Sequence, residues 1–235
     1  MADARALLTA GQLSEAITQL GLELRANPAD LQRRSFLFEL LSFAGEYDRA
    51  GKQLDVLASA GPSAEAGTSV YRAALQSERV REHMFDAGDL PTSVAATEVA
   101  GTCNGVPFQT IADADPRIGA RLEVIGGGRY LWIPFAHLAS VVIQPPAQLR
   151  DLHWLSARIA TNGSVKDMEL GEVLLPALSP AAWRLDDADL RLGRATDWLE
   201  LPDGDYAPIG QKVLRLDDRL VPLVDIRELV LTPAS

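Results

Sequence analysis

An α+β fold, with a helical array leading into a β-rich domain, is what three features of this 235-residue chain predict. The first is an internal repeat. Gly11-Gln12-Leu13-Ser14-Glu15-Ala16 aligns with Gly45-Glu46-Tyr47-Asp48-Arg49-Ala50, Leu20 with Leu54 and Pro28 with Pro62, each pair 34 residues apart. The second is a change of texture near residue 107, from Ala/Leu/Arg-rich sequence to short apolar runs punctuated by glycine and proline. The third is a shorter repeat. Ile133 to Ile143 aligns with Val221 to Leu231, with apolar residues matching at 133/221, 135/223, 138/226, 141/229 and 143/231 and proline at 134/222.

A period of 34 is the length of a tetratricopeptide-type helix–turn–helix unit. Gly11 and Gly45 fall at the turn inside each unit, Ala16 and Ala50 keep the second helix thin where the pair crosses, and Pro28 and Pro62 close the unit. Ala4 suits a small-residue position that its counterpart Phe38 overfills, so the repeat is divergent. A further helix is predicted from about Ala64 to Phe85 and ends at Gly88-Asp89-Leu90-Pro91. Val70, Ala73, Ala74, Val80 and Met84 are expected on one side of it, with Arg72, Glu78, Arg79, Arg81 and Glu82 on the other. Such a stack holds a peptide or helix on its inner face, which makes Ser35, Glu39 and Ser42 candidate partner-binding residues; the alternative is a solvated face. The helical unit is therefore placed at residues 1–91, a linker at Thr92 to Val106, and a β-rich, SH3-like or barrel-like domain at 107–235.

Within the β-rich part, Gly126-Gly127-Gly128 between apolar runs predicts a hairpin. A phosphate-cradling loop would need a strand–glycine–helix order that is missing here. Trp154 to Ile159 reads as a strand, Asn162-Gly163 as a turn, and Val173-Leu174-Leu175 as the returning strand. Asp186 to Arg194 is expected as a short helix or exposed turn, and Trp198-Leu199 begins the last β section. In the 133–143 and 221–231 repeat, His137 corresponds to Asp225, which suits two turn-capping residues better than a ligand and a base.

The chemistry the sequence allows is limited. A formal net charge of −10, from 22 basic and 32 acidic residues, disfavours nucleic acid or an anionic membrane as a partner. No apolar run is long enough to predict a transmembrane helix, and the N-terminus lacks the features of a secretory signal, so a cytoplasmic protein is expected. Cys103 is the single cysteine and is expected to be a passive thiol. His83 and His153 have no partners at metal-ligand spacing, and Asp187 and Asp189 lack a calcium-loop pattern, so neither a metal nor a cofactor is expected. The most enzyme-like cluster is Asp113-Ala114-Asp115-Pro116-Arg117. Two carboxylates there could divide acid and base roles, but the same residues also build self-contained turns.

The runs Gly105 to Gly119, Gly128 to Phe135, Leu149 to Trp154, Arg194 to Trp198 and Leu223 to Glu228 resemble the ImpE family, also called TagJ or SciE-type, of type VI secretion accessory proteins. The resemblance covers most of the chain, although Thr92 to Val106 is shorter than the helical sequence the family carries there. It marks Asp113, Asp115, Arg117, Trp132, Pro134, Phe135, Trp154, Trp198 and Asp225 as a structural signature rather than catalytic residues. It implies a non-enzymatic adaptor that binds a helix of the small sheath subunit TssB and is linked to sheath handling by the ClpV ATPase. An enzyme or ligand-binding regulator using a cleft around Asp113, Asp115 and Arg117 is the alternative.

Overall fold

A computed structural model describes residues 3–92, 99–163 and 170–233. The chain begins with five helices: α1 (Ala4–Thr9), α2 (Leu13–Ala26), α3 (Leu31–Phe43), α4 (Tyr47–Ala58) and α5 (Pro62–Ala87). Strands then dominate: β1 (Val99–Cys103), β2 (Val106–Phe108), β3 (Ile111–Asp113), β4 (Arg121–Gly126), β5 (Arg129–Pro134), β6 (Leu138–Ile143), β7 (Trp154–Thr161) and β8 (Gly171–Pro176). After the short α6 (Ala188–Arg191) come β9 (Thr196–Glu200), β10 (Tyr206–Gly210), β11 (Val213–Leu216), β12 (Arg219–Pro222) and β13 (Glu228–Pro233). The arrangement is mixed α+β, helices first and sheets after. No helix among the described residues is long and apolar enough to cross a membrane.

The 34-residue repeat maps onto geometry. Gly11 and Gly45 take left-handed φ values of 77° and 70° at the α1–α2 and α3–α4 turns, which glycine adopts without a Cβ penalty. Ala16, Leu20, Ala50 and Leu54 are buried between the helices. Both glycines also lie under the 183–188 segment. A Cβ on Gly45 would stand 2.5 Å from the Trp183 ring, and one on Gly11 would stand 2.8 Å from the Ala188 Cβ. The Arg194 guanidinium donates to the Leu8 carbonyl at 3.1 Å. The repeat turns are thus clamped by a segment more than a hundred residues downstream.

An eight-stranded antiparallel sheet, ordered β2-β1-β13-β6-β7-β8-β4-β5, forms the centre of the β half. A three-stranded sheet, β12-β11-β3, and a two-stranded ribbon, β10-β9, accompany it. The expected linker is corrected here: residues 99–103 and 106–108 are β1 and β2, hydrogen-bonded to β13 and to each other. Their small residues fit close strand packing; a Cβ on Gly101 would meet the Val230 carbonyl oxygen at 2.1 Å. The rest of that stretch, residues 93–98, lies outside the described residues.

The short repeat is a strand–Pro–3₁₀–strand unit used twice. Pro134 (φ −54°, ψ 134°) leads into a 3₁₀ turn at Phe135–His137, and Pro222 (φ −57°, ψ 135°) into one at Leu223–Asp225. Val141 pairs with Leu229, its own equivalent, while Val142 pairs with Glu228 and Ser140 with Val230. The two units therefore meet back to back about a local pseudo-two-fold through the Val141–Leu229 pair. Asp225 is exposed, and its carbonyl accepts from the Asn104 side chain at 3.0 Å. The predicted hairpin at Gly126–Gly128 joins β4 to β5.

Period-2 alternation gives the central strands two buried faces. Leu122 and Val124 of β4, Leu155, Ala157 and Ile159 of β7, and Val173 and Leu175 of β8 pack into a β core with Phe135, Leu214 and Leu223. The opposite faces send Ile125, Trp154 and Leu174 into the helical core with Phe38, Leu41 and Leu54. The buried side of α5 differs from the expected one. Ala74, Leu75, Ser77, Glu78 and Arg81 face inward, while Val70 and Val80 are exposed. Charge normally marks a solvent face, but here the sheet offers Glu123 to Arg81 and the Trp154 indole N–H to Glu78.

Candidate functional site

Helix α5 lies across the sheet where β4, β7 and the 177–183 segment converge, and charged groups fill the junction. Arg81 donates from Nε to Glu123 Oε1 at 2.7 Å and from Nη2 to Glu123 Oε2 at 2.9 Å and the Leu178 carbonyl at 2.8 Å. Glu78, one turn earlier, accepts from Arg81 at 3.4 Å and from Trp154 Nε1 at 2.9 Å. Lys212 bridges Glu123 and Asp113, its Nζ 2.6 Å from Asp113 Oδ2. The Tyr130 hydroxyl also donates to Glu123, and Trp132 Nε1 donates to the Tyr130 oxygen at 2.5 Å. Glu78, Arg81, Asp113, Glu123 and Lys212 are all buried. Three carboxyls face two cations, so the cluster carries one acid more than its bases balance.

That imbalance shapes the titration. Burial lifts Glu78 above the usual carboxylate range, only partly offset by Arg81 and the Trp154 hydrogen bond. Burial also raises Asp113 to about 6, with Lys212 opposing and the Glu123 charge adding to it. Glu123 feels the same burial, but Arg81 and Lys212 overcome it and hold its carboxyl well below the ordinary range. Burial, reinforced by the charge of Arg81, lowers His153 to about 3. The Asp113 and His153 shifts act in opposite senses. Protonated Asp113 favours the folded state, a contribution complete below its ordinary 3.8 and lost as pH rises through about 6. Neutral His153 favours it above 6.5, a contribution lost as pH falls toward 3. Asp113→Asn is therefore expected to unmask the histidine, giving a steeper loss of stability than the parent between pH 6.5 and 4. Urea titrations at stepped pH check this. Parallel pH profiles for the two proteins would refute it.

The Asp113–Arg117 turn is a clasp at the edge of this junction. Asp113 accepts the Asp115 N–H at 3.0 Å. Asp115 accepts the Arg117 N–H at 3.0 Å and both arms of its guanidinium, at 2.9 and 2.7 Å. Arg117 lies over the Phe85 ring of α5 at 4.8 Å. Arg121 stacks on Trp132 at 4.4 Å and reaches the Pro91 and Thr92 carbonyls at 3.1 Å, tying down the exit from α5. Asp113 and Asp115 are 3% and 2% exposed. Their oxygens face this clasp and Lys212, and both carboxylates are shut off from solvent.

Of the remaining signature residues, Trp132 and Trp154 belong to the junction, while Pro134 and Phe135 shape the β core. Trp198 and Asp225 lie elsewhere, both exposed. Glu78, Arg81, Glu123, Tyr130 and Lys212 were not singled out from the sequence. One signal existed: Ala74, Leu75, Glu78 and Arg81 share a helical face with period-3.6 spacing, and Glu123 interrupts the apolar run Leu122–Ile125. Cys103 is a buried thiol in β1, pushed up by burial. Asp187 caps α6 by accepting the Asp189 and Leu190 amides, and no cluster of three metal-ligating side chains occurs among the described residues.

The expected inner-face residues divide. Ser42 is 1% exposed and donates its hydroxyl to the Phe38 carbonyl, so it is corrected to an interior residue. Glu39 is 7% exposed and ion-paired with Arg150 at 2.9 Å. Arg150 also donates to the Tyr71 hydroxyl at 2.9 Å, so the helix face that was to stay open is largely covered by the β half. What remains open is a depression of about 800 Å³ between α3 and the 146–152 segment. Arg5, Gln32, Ser35, Phe36 and Glu39 line it from the helices, and Leu149 and Leu152 from the 146–152 segment.

A protein-family model described as ImpE protein matches residues 105–230. The chain is 33% identical, over an alignment 268 positions long including gaps, to a Pseudomonas aeruginosa protein named type VI secretion system accessory component TagJ. That alignment covers 99% of this chain and 92% of the relative. The crystal structure of a Vibrio parahaemolyticus protein superposes with a TM-score of 0.84 at 21% identity, over 98% of both chains, and supports the fold.

Proposed function

The chain belongs to the ImpE family, and on that premise we propose that it is a non-enzymatic accessory component of a bacterial type VI secretion system. It acts in the cytoplasm as an adaptor that holds a helix of the small sheath subunit TssB, and through that subunit it bears on sheath handling by the ClpV ATPase. The depression between α3 and residues 146–152 carries this reading. It is the open remnant of the helical inner face, with apolar Phe36, Leu149 and Leu152 beside polar Gln32 and Ser35. That mixture suits the apolar face and flank of one amphipathic helix. The alternative, acid–base chemistry at Asp113 and Asp115, is disfavoured by their burial and by the clasp that consumes their oxygens.

Ser35 is half-buried on the wall of the depression and accepts a larger side chain only at the expense of the space. Ser35→Arg is expected to weaken binding of the purified cognate TssB at least tenfold, read by isothermal titration, with an unchanged melting temperature. No complex between the folded parent proteins at tens of micromolar would reject the adaptor reading. A complex that Ser35→Arg leaves intact would move the site off this wall.

A further inference from the structure

Trp198 belongs to neither apolar core. It is 37% exposed on β9, beside Leu199 at 52%, while Tyr206 on β10 is 53% exposed. Trp198 pairs with Pro208 and Glu200 with Tyr206, so Trp198, Pro208 and Tyr206 share one face of the ribbon. Glu200 shares that face, Asp197 lies on the opposite face of β9, and Asp203 and Asp205 sit between the two strands; all four carboxylates are exposed, and residues 196–210 contain no lysine or arginine.

The ribbon also has an open edge. Among the described residues, β10 is the strand partner of β9. Pro208 has no N–H to give, so the Trp198–Pro208 pair turns the Trp198 amide outward, where the Asp197 carboxylate accepts it at 2.8 Å. A local carboxylate standing in for a neighbouring strand is readily exchanged for a carbonyl of one. Natural edge strands use charge to refuse copies of themselves. Two such ribbons would set Asp197 and Glu200 against their own equivalents, on a chain whose net charge is already −10.

We propose that the outer edge of β9 is a docking strand for a basic, extended segment of a partner protein. The segment adds as a third strand, sets its apolar side chains on the face of Trp198 and Tyr206, and brings its alternate lysine or arginine side chains to Asp197 on the opposite face. This surface involves none of the residues lining the depression beside α3, so the two sites stand or fall separately.

The test uses the full chain and a short peptide alternating lysine with valine, followed by backbone-amide NMR at low salt. Two control peptides are run beside it, one with glutamate for lysine and one N-methylated at alternate amides so that it cannot pair as a strand. Amide shifts concentrated in residues 196–210 are expected, with affinity at least tenfold weaker for Trp198→Ala and for Tyr206→Ala, and no binding of either control. Shifts spread over other acidic surfaces, equal binding of the N-methylated peptide, or no shifts at millimolar peptide would overturn the proposal. So would self-association of the chain that Trp198→Ala abolishes, since the occupant would then be a second copy.

Discussion

Arg81→Ala is expected to cost about 3–5 kcal/mol of unfolding free energy, the range for removing one partner of a buried ion pair. The pair itself is not the reason for so large a loss, because desolvation consumes most of its Coulombic gain. What matters is the residue left behind. Among the described residues Glu123 would keep only Lys212 and Tyr130 as donors, inside a site where its carboxylate is held ionised by two cations. Glu78 would lose its only cation among the described ion pairs, since the neighbouring His153 is neutral, and the Leu178 carbonyl would lose its guanidinium donor. Urea denaturation followed by circular dichroism measures the loss. Arg81→Lys should recover part of it by restoring charge without the bidentate fork. A cost under about 1 kcal/mol for Arg81→Ala would mean that apolar packing alone holds α5 to the sheet.

Trp154→Ala comes next, at about 3–5 kcal/mol for emptying a large buried aromatic. Trp154 lies on the helix-facing side of β7, 4.1 Å between centroids from His153, 6.1 Å from Tyr71 and 6.3 Å from Phe38. It also donates to Glu78. Trp154→Phe separates the two contributions. It keeps most of the packing and removes the indole donor, so about 1–3 kcal/mol is expected, the cost of leaving a buried carboxylate short of a hydrogen bond. If both variants lose the same amount in urea titrations, the Glu78 hydrogen bond accounts for the whole effect and the aromatic cluster for none of it.

Phe38 explains why the helical repeat departs from its pattern. A small residue at that position would suit helices packed only on each other. Phe38 instead reaches past its neighbours to Tyr71 at 5.6 Å and to Trp154 in the sheet. The departure belongs to the contact between the two halves, and the halves share one apolar core there.

The depression beside α3, the β9 edge and the junction cluster have different standing in this structure. The cluster is sealed and orients the halves. The depression and the ribbon edge are open, lie on different elements, and differ in character, one of mixed polar and apolar lining that includes Arg5, the other aromatic and acidic.

Local physics made part of this legible in the sequence. Glycines at 11 and 45, small residues at 16 and 50, and prolines at 134 and 222 act on their own backbone or on near neighbours, so a repeat in sequence became a repeat in structure. The Asp115–Arg117 turn was readable for the same reason, because its hydrogen bonds close within two residues. Tertiary structure decided the rest. Val70 and Val80 were expected inside and Glu78 and Arg81 outside, yet the sheet reversed that choice by offering Glu123 to Arg81 and Trp154 to Glu78. Ser42 lost its solvent to close packing, and the stretch expected as a linker found its hydrogen bonds on β13. A side chain's burial is a property of what it meets, and partners 42 to 134 residues away are fixed only when the chain has folded.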